Sequence, residues 1–430
     1  MAIDIPLFKT EWEDRDDQVI RALYKYEEKN KKELRHKSFL VDGLELVSWT
    51  MRDSLYKKNK YPTQARGLFT HQDKNGKYSV KIRGYDKFFN ANETDATQWH
   101  AMKSETVGPY EITAKENGCI IFITATTPTD LITTSKHSIP EPKNNPESHG
   151  GIGYQWLLKQ LNQVNCEPHT LASWIYDHRV TLICELCDDS FEEHVVPYSE
   201  KESGLYLHGI NYNTTSFHTL PMDIVHRVAQ QYGFRIIDSI TLHEFHQVET
   251  LANQVKLNTT GMLDWMVGAQ NHVNNNYNNK QQIEITTATA TEGQRESEGI
   301  VIRCKRKNKK NDGEMDDFLF KVKNDTYLLY RDYREVTKAL IHVQGGDNNG
   351  KNLMVTVKPN LKSIRYSYEK TLYYIHWLML RIKDHPEWFI EYQHNKGIVA
   401  VRQAFEKDWD NGLITIDPNL NMPLEKSKSF

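Results

Sequence analysis

The spacing of apolar and polar residues predicts a chain that begins as helix, continues with many strands and ends as helix. The stretch up to Lys60 is rich in charged, helix-forming residues (WEDRDDQVIRALYKYEE), which favours one or two surface helices. From residue 63 to residue 126 the pattern is strand-like, because KYSVKIRGY alternates and CIIFITAT is a β-branched run between turn residues. Further along, YQWLLKQLNQV and MDIVHRVAQQYG have helical spacing, whereas VTLICEL and YGFRIID are typical of buried strands, and GIVIRCK and FLFKVK are also predicted strands.

Loops and a change of pattern divide the chain into two predicted domains. Residues 137–153 are dense in Pro, Asn, Ser and Gly, and NHVNNNYNNKQQ is a polar tract, so both are predicted loops. After Tyr330, IRYSYEKTLYYIHWLMLRIKDHPEWF and VRQAFEKDW again have apolar residues at helical spacing. The prediction is an α+β protein, with a mixed domain over residues 1–330 that includes the helical N-terminal segment, and an all-helical domain over residues 331–430.

Composition narrows the class of protein. The 430 residues carry 54 Lys and Arg against 57 Asp and Glu, a net charge of −3, which excludes a general polycation and leaves nucleic-acid binding to local patches. No apolar run is long enough for a membrane span, and the acidic N-terminal stretch lacks the basic start and apolar core of a signal peptide. We therefore expect an intracellular protein without a membrane partner.

The cysteines are expected to be reduced thiols. There are five of them, and an odd number fits free thiols better than a disulfide framework. Cys184 and Cys187 form one CxxC, but no second CxxC or HxxxH follows. Two buried or half-buried thiols are therefore preferred to a zinc site at this pair.

One segment carries the strongest sign of chemistry. In YEITAKENGCIIFITAT two strand-like runs flank Lys115, and the Asn117-Gly118 pair predicts a tight turn with positive φ. Lys115 then lies where a strand ends, beside a backbone that a ligand can approach closely. A lysine amine attacks a nucleotide α-phosphate only when it is deprotonated, and burial with neighbouring positive charge lowers its pKa. Taken alone, a Lys beside Asn-Gly is more often a solvated turn residue.

Charged residues elsewhere supply what such chemistry needs. Lys321 and Lys323 lie two residues apart on the predicted strand FLFKVK, so both amines share one face and can hold an α-phosphate. A solvated edge strand is the alternative. Glu298 opens the strand GIVIRCK, and Glu185 lies inside the apolar run VTLICEL. A carboxylate in a buried strand is costly unless it is paired or binds a metal.

These segments together resemble the covalent nucleotidyltransferases, which include DNA ligases, RNA ligases and capping enzymes. KENGCIIF, ICELCDDSFEEHV, SEGIVIRCK and FLFKVK occur in the order of that superfamily's motifs I, III, IV and V. ARGLF, DKFFN and SKHS are similar to motifs of the phage-type RNA ligase family. ELCDDSFEEHV, GLYLHGINYNT and YLLYRDYREVTK resemble the sealing domain of fungal tRNA ligases, over nearly the whole chain. Asn117 replaces the superfamily's usual Asp, a variant that the fungal tRNA ligases resemble and that disfavours a DNA ligase.

The resemblance implies an ATP-dependent RNA ligase with the nucleotidyltransferase fold, in which ATP-grasp-like antiparallel sheets are flanked by helices. Lys115 would become adenylylated, Glu185 and Glu298 would hold Mg²⁺ or Mn²⁺, and Lys321 and Lys323 would contact the α-phosphate. The AMP would then pass to an RNA 5′-phosphate, which the RNA 3′-OH attacks. The other implied nucleotide-site residues are Arg66 and Lys136 at the triphosphate, Lys87, Phe89 and Thr113 in the nucleotide pocket, and Gly118 near the ribose.

The resemblance also implies the RNA substrate. The family binds a terminal 2′-phosphate through two arginines, and Arg331 and Arg334 fit their place, with i,i+3 spacing on one predicted helix face. An ordinary charged helix face is the alternative. The implied substrates are tRNA halves, and a spliced stress-response mRNA in addition, in the nucleus, the cytoplasm or both. A monomer is expected.

Two companion activities of fungal tRNA ligases have no signature here. Residues 345–351 satisfy GxxxxGK, but Asn352 replaces the Ser or Thr that binds Mg²⁺, and the strand-like LMVTVK follows, so a loop is predicted instead of a kinase phosphate site. The paired HxT/S motifs of a cyclic phosphodiesterase are missing. We expect the sealing activity alone, acting with a separate or fused 5′-kinase and cyclic phosphodiesterase.

Other functions stay open at this point. A catalytically silent RNA-binding module would keep the fold without the chemistry, which the presence of both acidic and basic motif residues disfavours. A GTP-using capping enzyme shares the lysine chemistry but is disfavoured by KFFN and the helical tail. The basic stretch RCKRKNKK fits a solvated hairpin tip and an RNA-backbone patch equally well.

Overall fold

The computed structural model describes residues 3–257, 285–286, 297–308, 313–345, 354–358, 365–415 and 425–426. The polar tract NHVNNNYNNKQQ and most of the GxxxxGK segment lie outside these residues. Within them, α-helices span the following residues: α1 Glu11–Lys29, α2 Trp99–Glu105, α3 His149–Gln163, α4 Pro168–His178, α5 Met222–Tyr232, α6 Phe245–Leu257, α7 Asp325–Leu340, α8 Glu369–Asp384 and α9 Ile398–Asp410.

The described strands form three larger sheets and two short pairs. The N-terminal sheet has the order β1 Leu34–Val41, β2 Leu44–Met51, β3 Leu68–Gln72 and β4 Tyr78–Arg83. The five-stranded sheet has the order β11 Arg235–Ile236, β10 Gly204–Tyr212, β9 Val180–Cys187, β7 Cys119–Ala125 and β8 Leu131–Thr134. The six-stranded sheet has the order β13 Ile285–Thr286, β12 Ser239–Leu242, β6 Thr106–Lys115, β14 Gly299–Lys307, β15 Met315–Lys323 and β5 Phe89–Asn90. The pairs are β16 Ile341–Gln344 with β17 Met354–Val357, and β18 Arg365–Tyr366 with β19 Glu425–Lys426.

The N-terminal stretch differs from the prediction of one or two helices. It holds one helix, α1, followed by the antiparallel β1–β2 hairpin, so strands begin at Leu34 and not near residue 63. Asp42 and Gly43 connect the two strands with φ of 50° and 78°. Two consecutive residues with positive φ are the usual two-residue hairpin connection, and Asp-Gly is a strong sequence signal for it.

The segment around Lys115 is a crossover between sheets, so the predicted tight Asn-Gly turn is wrong. β6 pairs with β12 and β14 in the six-stranded sheet, whereas β7 pairs with β8 and β9 in the five-stranded sheet. Neither Asn117 nor Gly118 has positive φ. Gly118 is required for another reason, because a Cβ there would lie 2.2 Å from the carbonyl oxygen of Leu186.

A large apolar core covers one face of the six-stranded sheet and one face of the five-stranded sheet. Ile112, Ile300 and Phe320 of the six-stranded sheet belong to one large buried cluster together with Ile121 and Leu182 of the five-stranded sheet. A second cluster joins the facing sides of all three sheets through Phe69, Phe122, Ile183, Val301 and Leu319. This packing holds the ends of β6, β14 and β15 opposite β7 and β9, where the candidate site lies.

The C-terminal region has its own apolar core, formed by residues between Tyr333 and Phe405, most of which lie on α7, α8 and α9. The region also contains the β16–β17 pair, so it is largely but not entirely helical, and Met354–Val357 within LMVTVK form a strand as predicted. The boundary expected at residues 330 and 331 falls inside α7. The α+β fold with a helical C-terminal region is confirmed.

The C-terminal region is hydrogen-bonded to the segment that follows β9. The Glu193 side chain accepts a hydrogen bond from the backbone N–H of Gly397, and the backbone N–H of Glu193 donates to the carbonyl oxygen of Asn395. Arg402 donates to the carbonyl oxygen of Val195.

Among the described residues, no helix combines the length and apolarity that crossing a membrane requires.

Candidate active site

A cavity of about 680 Å³ lies between the facing six-stranded and five-stranded sheets. Three carboxylates line it, those of Glu116, Glu185 and Glu298. Six cationic side chains line it as well, which leaves a formal surplus of three positive charges in a chain whose net charge is −3. The six are Arg66, Lys115, Lys136, Arg303, Lys321 and Lys323. Such a cavity suits a polyanion.

Strand register brings the distant motif residues together. Gly299 of β14 lies directly opposite Lys115 of β6 on one side and Lys323 of β15 on the other. One step along, Val301 lies between Thr113 and Lys321 in the same way. Because side chains two residues apart share a face, both rows point into the cavity, while Phe320 and Val322 enter the core as predicted.

Glu298 joins the two lysines at the end of the sheet. Its carboxylate lies 2.7 Å from Lys115 Nζ and 2.6 Å from Lys323 Nζ, and its side chain is 5 % exposed. Burial alone would raise the pKa of Glu298, but the two ammonium groups outweigh it and hold that pKa at about 2. For Lys115, burial lowers the pKa, and the charges of Glu298 and Glu185 raise it by more. The expected lowered pKa of Lys115 is therefore wrong, because the charges of Glu298 and Glu185 keep the amine protonated.

Lys321 is a cavity lysine whose pKa is strongly lowered. Burial, followed by the positive charges of Lys115, Lys323 and Lys87, lowers its pKa to about 7. Its Nζ lies 5.1 Å from the ring centroid of Phe88. With a pKa of about 7, the Lys321 amine is divided between its charged and neutral states at neutral pH.

The contacts of Asn117 show why an amide fits at the position where the resembling superfamily usually has Asp. Its Nδ2 donates to Glu298 at 3.3 Å, and its Oδ1 accepts from the backbone N–H of Val196 at 3.1 Å. An Asp at this position would place a second carboxylate against Glu298. The amide satisfies both neighbours without that repulsion.

Glu185 is paired inside its strand, as the cost of burial requires. Its Oε1 accepts from the backbone N–H of Gly118 at 3.1 Å, and its Oε2 lies 3.6 Å from His208 Nε2. Burial raises the pKa of Glu185, but His208 and Lys115 lower it by more, so the carboxylate is ionised. Two ionised carboxylates at one cavity provide the oxygen donors that Mg²⁺ and Mn²⁺ prefer.

The remaining implied nucleotide residues divide into two groups. Arg66 and Lys136 line the cavity, and burial lowers the pKa of each. Lys87 is close enough for its charge to act on Lys136 and Lys321, but its side chain is not part of the lining. Phe88 forms the aromatic wall, whereas Phe89 packs toward the N-terminal core.

Several lining residues were missed by the sequence analysis, among them Arg303, Tyr85 and His208. Arg303 was assigned to the basic surface stretch, yet it is 4 % exposed and lies on the cavity face of β14. Its Nη2 donates to Tyr85 Oη at 2.7 Å, and Tyr85 Oη donates to the carbonyl oxygen of His208 at 3.0 Å. Among the described residues, Nε and Nη1 of Arg303 have no hydrogen-bond partner. Gly299, Val301 and Arg303 are each two residues apart on β14, so they share one face of the strand. This alternation was the sequence signal that could have placed Arg303 in the cavity.

The two arginines expected at the 2′-phosphate lie on α7, outside the cavity lining. Arg331 is exposed, and Arg334 donates to the neighbouring Glu335 at 2.8 Å. The rest of the basic stretch is partly paired, since Lys305 bonds Asp317 at 2.6 Å and Arg306 bonds Glu105. All five cysteines are free, and Cys184 and Cys187 are buried, as predicted.

Comparison with known proteins identifies the class. The family model described as RNA ligase matches residues 64–329, which is more than half of the chain. The chain therefore belongs to this RNA ligase family.

Individual relatives narrow the resemblance. A tRNA ligase of Candida albicans is 33 % identical over 422 residues, covering 92 % of this chain and 45 % of that protein. The tRNA ligase 1 of Schizosaccharomyces pombe is 36 % identical over 348 residues, covering 80 % of this chain and 38 % of that protein. The resemblance to fungal tRNA ligases is confirmed, and the chain spans less than half the length of these relatives. Among solved structures, an archaeal ATP-dependent RNA ligase aligns with a TM-score of 0.45 and 12 % identity, covering 78 % of this chain and 68 % of that one.

Proposed function

We propose that this chain seals RNA ends with ATP, through an adenylate carried on Lys115, in the splicing of tRNA. The observation that carries the proposal is the meeting of Lys115, Glu298 and Lys323 at one end of a cavity with surplus positive charge. The relatives named tRNA ligase support the choice of RNA as substrate.

The proposed reaction has three steps. Lys115 Nζ loses its proton and attacks the α-phosphorus of ATP, forming the P–N bond as pyrophosphate leaves. An RNA 5′-phosphate oxygen then attacks the same phosphorus, and the Lys115 amine leaves. Last, an RNA 3′-OH attacks the 5′-phosphate and releases AMP.

The cavity residues have separate tasks in these steps. Lys321 and Lys323 lie in the two rows beside Lys115, where they would neutralise charge that develops on the α-phosphate. Arg66 and Lys136 would bind the outer phosphates. A divalent cation such as Mg²⁺, held by Glu185 and Glu298, would supply further positive charge to the triphosphate.

Covalent labelling with ATP labelled at the α-phosphate tests the proposal. Lys115→Ala is expected to abolish transfer of the label to the protein, whereas Lys159→Ala, an exposed lysine on α3, is expected to leave it unchanged. Label that persists in Lys115→Ala would contradict the mechanism. Transfer from GTP in place of ATP would favour a capping-type enzyme, and absence of label in the unchanged protein would favour a silent RNA-binding module.

We further propose that Arg331 and Arg334 bind the 2′-phosphate of the RNA 3′ end. Both lie on α7, which begins two residues after Lys323, so the helix leads directly away from the proposed α-phosphate site. The double change Arg331→Ala, Arg334→Ala is expected to slow sealing of 2′-phosphate ends at least about tenfold. Covalent labelling by ATP would not change. Arg227→Ala on α5 is the matched control, and equal sealing rates in the double variant and the control would contradict the assignment.

A further inference from the structure

A second cluster of chemically reactive side chains lies at the wall of the cavity and takes no part in the proposed reaction. Cys119 is the first residue of β7, His149 is the first residue of α3, and Glu192 lies in the segment after β9. One donor atom from each lies within 4.8 Å of the other two. Three separate elements thus bring a thiol, an imidazole and a carboxylate to one point.

The distances within this cluster are short enough for a shared ligand. His149 Nε2 lies 2.8 Å from Glu192 Oε2, and Cys119 Sγ lies 4.0 Å from the same oxygen. In a tetrahedral site with zinc bonds of about 2.0–2.3 Å, neighbouring donor atoms are about 3.3–3.7 Å apart. The first distance is shorter than this range and the second is slightly longer, so the three donor atoms already lie on the scale of a coordination site.

His194 adds a fourth donor and an independent observation. Its side chain is only 8 % exposed, and its Nε2 lies 3.6 Å from Cys119 Sγ. Among the described residues, its Nδ1 has no hydrogen-bond partner, although Asp189 Oδ1, equally unpartnered, lies 4.0 Å away. A carboxylate behind the second nitrogen of an imidazole is the arrangement that orients metal-binding histidines.

The carboxylate of the cluster is also held from behind. Asn395, in the loop before α9, donates its side-chain N–H to Glu192 Oε1, so that Oε2 faces Cys119 and His149. Asn395 also accepts the backbone N–H of Glu193. Occupation of the site would thereby fix the segment after β9 between the catalytic sheets and the C-terminal region.

We propose that Cys119, His149 and Glu192 form a binding site for one thiophilic divalent cation of the Zn²⁺ class, with His194, which lies beside Cys119, moving in as the fourth ligand. The donor set of one sulfur, two imidazole nitrogens and one carboxylate oxygen is typical of Zn²⁺ and differs from the all-carboxylate set at Glu185 and Glu298. Coordination of Sγ releases the thiol proton to solvent. The cation is structural, because it locks β7, α3 and the segment after β9 at the wall of the nucleotide cavity.

Titration with Co²⁺ alone, in the absence of nucleotide, tests the site. The full chain is expected to bind one equivalent with a thiolate-to-cobalt charge-transfer band, which Zn²⁺ then abolishes by displacement. Cys119→Ser is expected to lose the band, whereas Cys166→Ser, a half-buried cysteine outside the cluster, is expected to retain it. No band at tenfold excess Co²⁺, or an undiminished band in Cys119→Ser, would overturn the proposal and show that these side chains only form hydrogen bonds with one another.

A second variant keeps the test decisive if Cys119→Ser does not fold. The His149 side chain is 41 % exposed, so His149→Ala is expected to fold and to weaken Co²⁺ affinity at least about tenfold. Unchanged affinity in this variant would overturn the proposal. Zn²⁺ is also expected to raise the midpoint of thermal unfolding of the unchanged chain but not of His149→Ala.

Discussion

Gly118, beside the proposed nucleophile Lys115, can be required for one of two reasons: positive φ, or lack of room for a side chain. A turn would need glycine for positive φ, but Gly118 has ordinary φ and is confined by its neighbours instead. A Cβ at this position would lie 2.2 Å from Leu186 O, 2.8 Å from Leu186 C and 3.0 Å from Cys187 Sγ. Ordinary contact begins at 3.4 Å, so Gly118→Ala must move β7 away from β9 by about 1.2 Å, which is 3.4 minus 2.2.

The consequences can be estimated from the contacts that this shift disturbs. The hydrogen bond from Gly118 N–H to Glu185 is already 3.1 Å long and would be lost. Overpacking costs about 1–3 kcal/mol, and loss of a hydrogen bond to a charged group costs about 1.5–3 kcal/mol. We expect the free energy of unfolding to fall by about 3–5 kcal/mol. Because Lys115 is three residues away, a displacement of this size is expected to slow adenylylation about a hundredfold.

Gly43→Ala is the matched control. Gly43 has φ of 78° and nothing within 4 Å of the added Cβ, so its cost is that of backbone strain alone, about 1–2 kcal/mol. Thermal unfolding and label transfer from ATP would be measured on both variants. Gly118→Ala should lose stability and labelling, whereas Gly43→Ala should lose only a little stability. Wild-type labelling in Gly118→Ala, with an unfolding midpoint no lower than that of Gly43→Ala, would refute the steric explanation.

Two further changes test other parts of the structure. Asn117→Asp would place a carboxylate where an amide now lies 3.3 Å from Glu298, and we expect label transfer from ATP to fall at least about tenfold at pH 7; undiminished transfer would contradict the role given to the amide. Asp16 is 2 % exposed and accepts three hydrogen bonds from Thr214 and Thr215, so Asp16→Ala should lower the free energy of unfolding by about 2–4 kcal/mol, measured by urea denaturation. The exposed Asp14→Ala should change it by less than about 0.5 kcal/mol, and equal effects in the two variants would refute this account.

Patterns that repeat along one strand were predictable from the sequence. The alternation in FLFKVK placed Lys321 and Lys323 on one face, and the apolar run around Glu185 indicated a paired carboxylate. Both predictions depend only on the local geometry of a strand, because the side chains of a strand alternate between its two faces regardless of the neighbouring strands. The resemblance to a known family implied a role for each of these residues, and these roles are proposals.

Partners that are distant in sequence could not be derived in this way. Lys115 and Glu298 are 183 residues apart, and only the pairing of β6 with β14 brings them together. The local Asn-Gly signal gave the wrong turn, because the chain crosses here from β6 to a different sheet, where Cys119 pairs with Leu186 of β9. Arg303 was hidden in a basic run, since charge patterning alone does not show which face of β14 is covered.

The charge of the cavity gives a last prediction, which depends on Lys321. Its pKa of about 7 results first from burial and then from repulsion by Lys115, Lys323 and Lys87. A bound triphosphate would supply the missing negative charge and raise that pKa, so binding must take up protons. At pH 8 about nine-tenths of Lys321 is neutral before binding, and uptake approaches one proton. At pH 6 most of it is already charged, and uptake should become small.

Calorimetric titration with ATP, without divalent cations and in buffers of different ionisation enthalpy, measures this uptake directly. The expected count is close to one proton at pH 8 and falls toward zero for Lys321 at pH 6. Lys321→Arg should bind ATP without this uptake at pH 8, because a guanidinium keeps its proton throughout. An equal proton count in the unchanged chain and in Lys321→Arg would show that the crowded cations do not tune this amine, since the uptake would then come from another group.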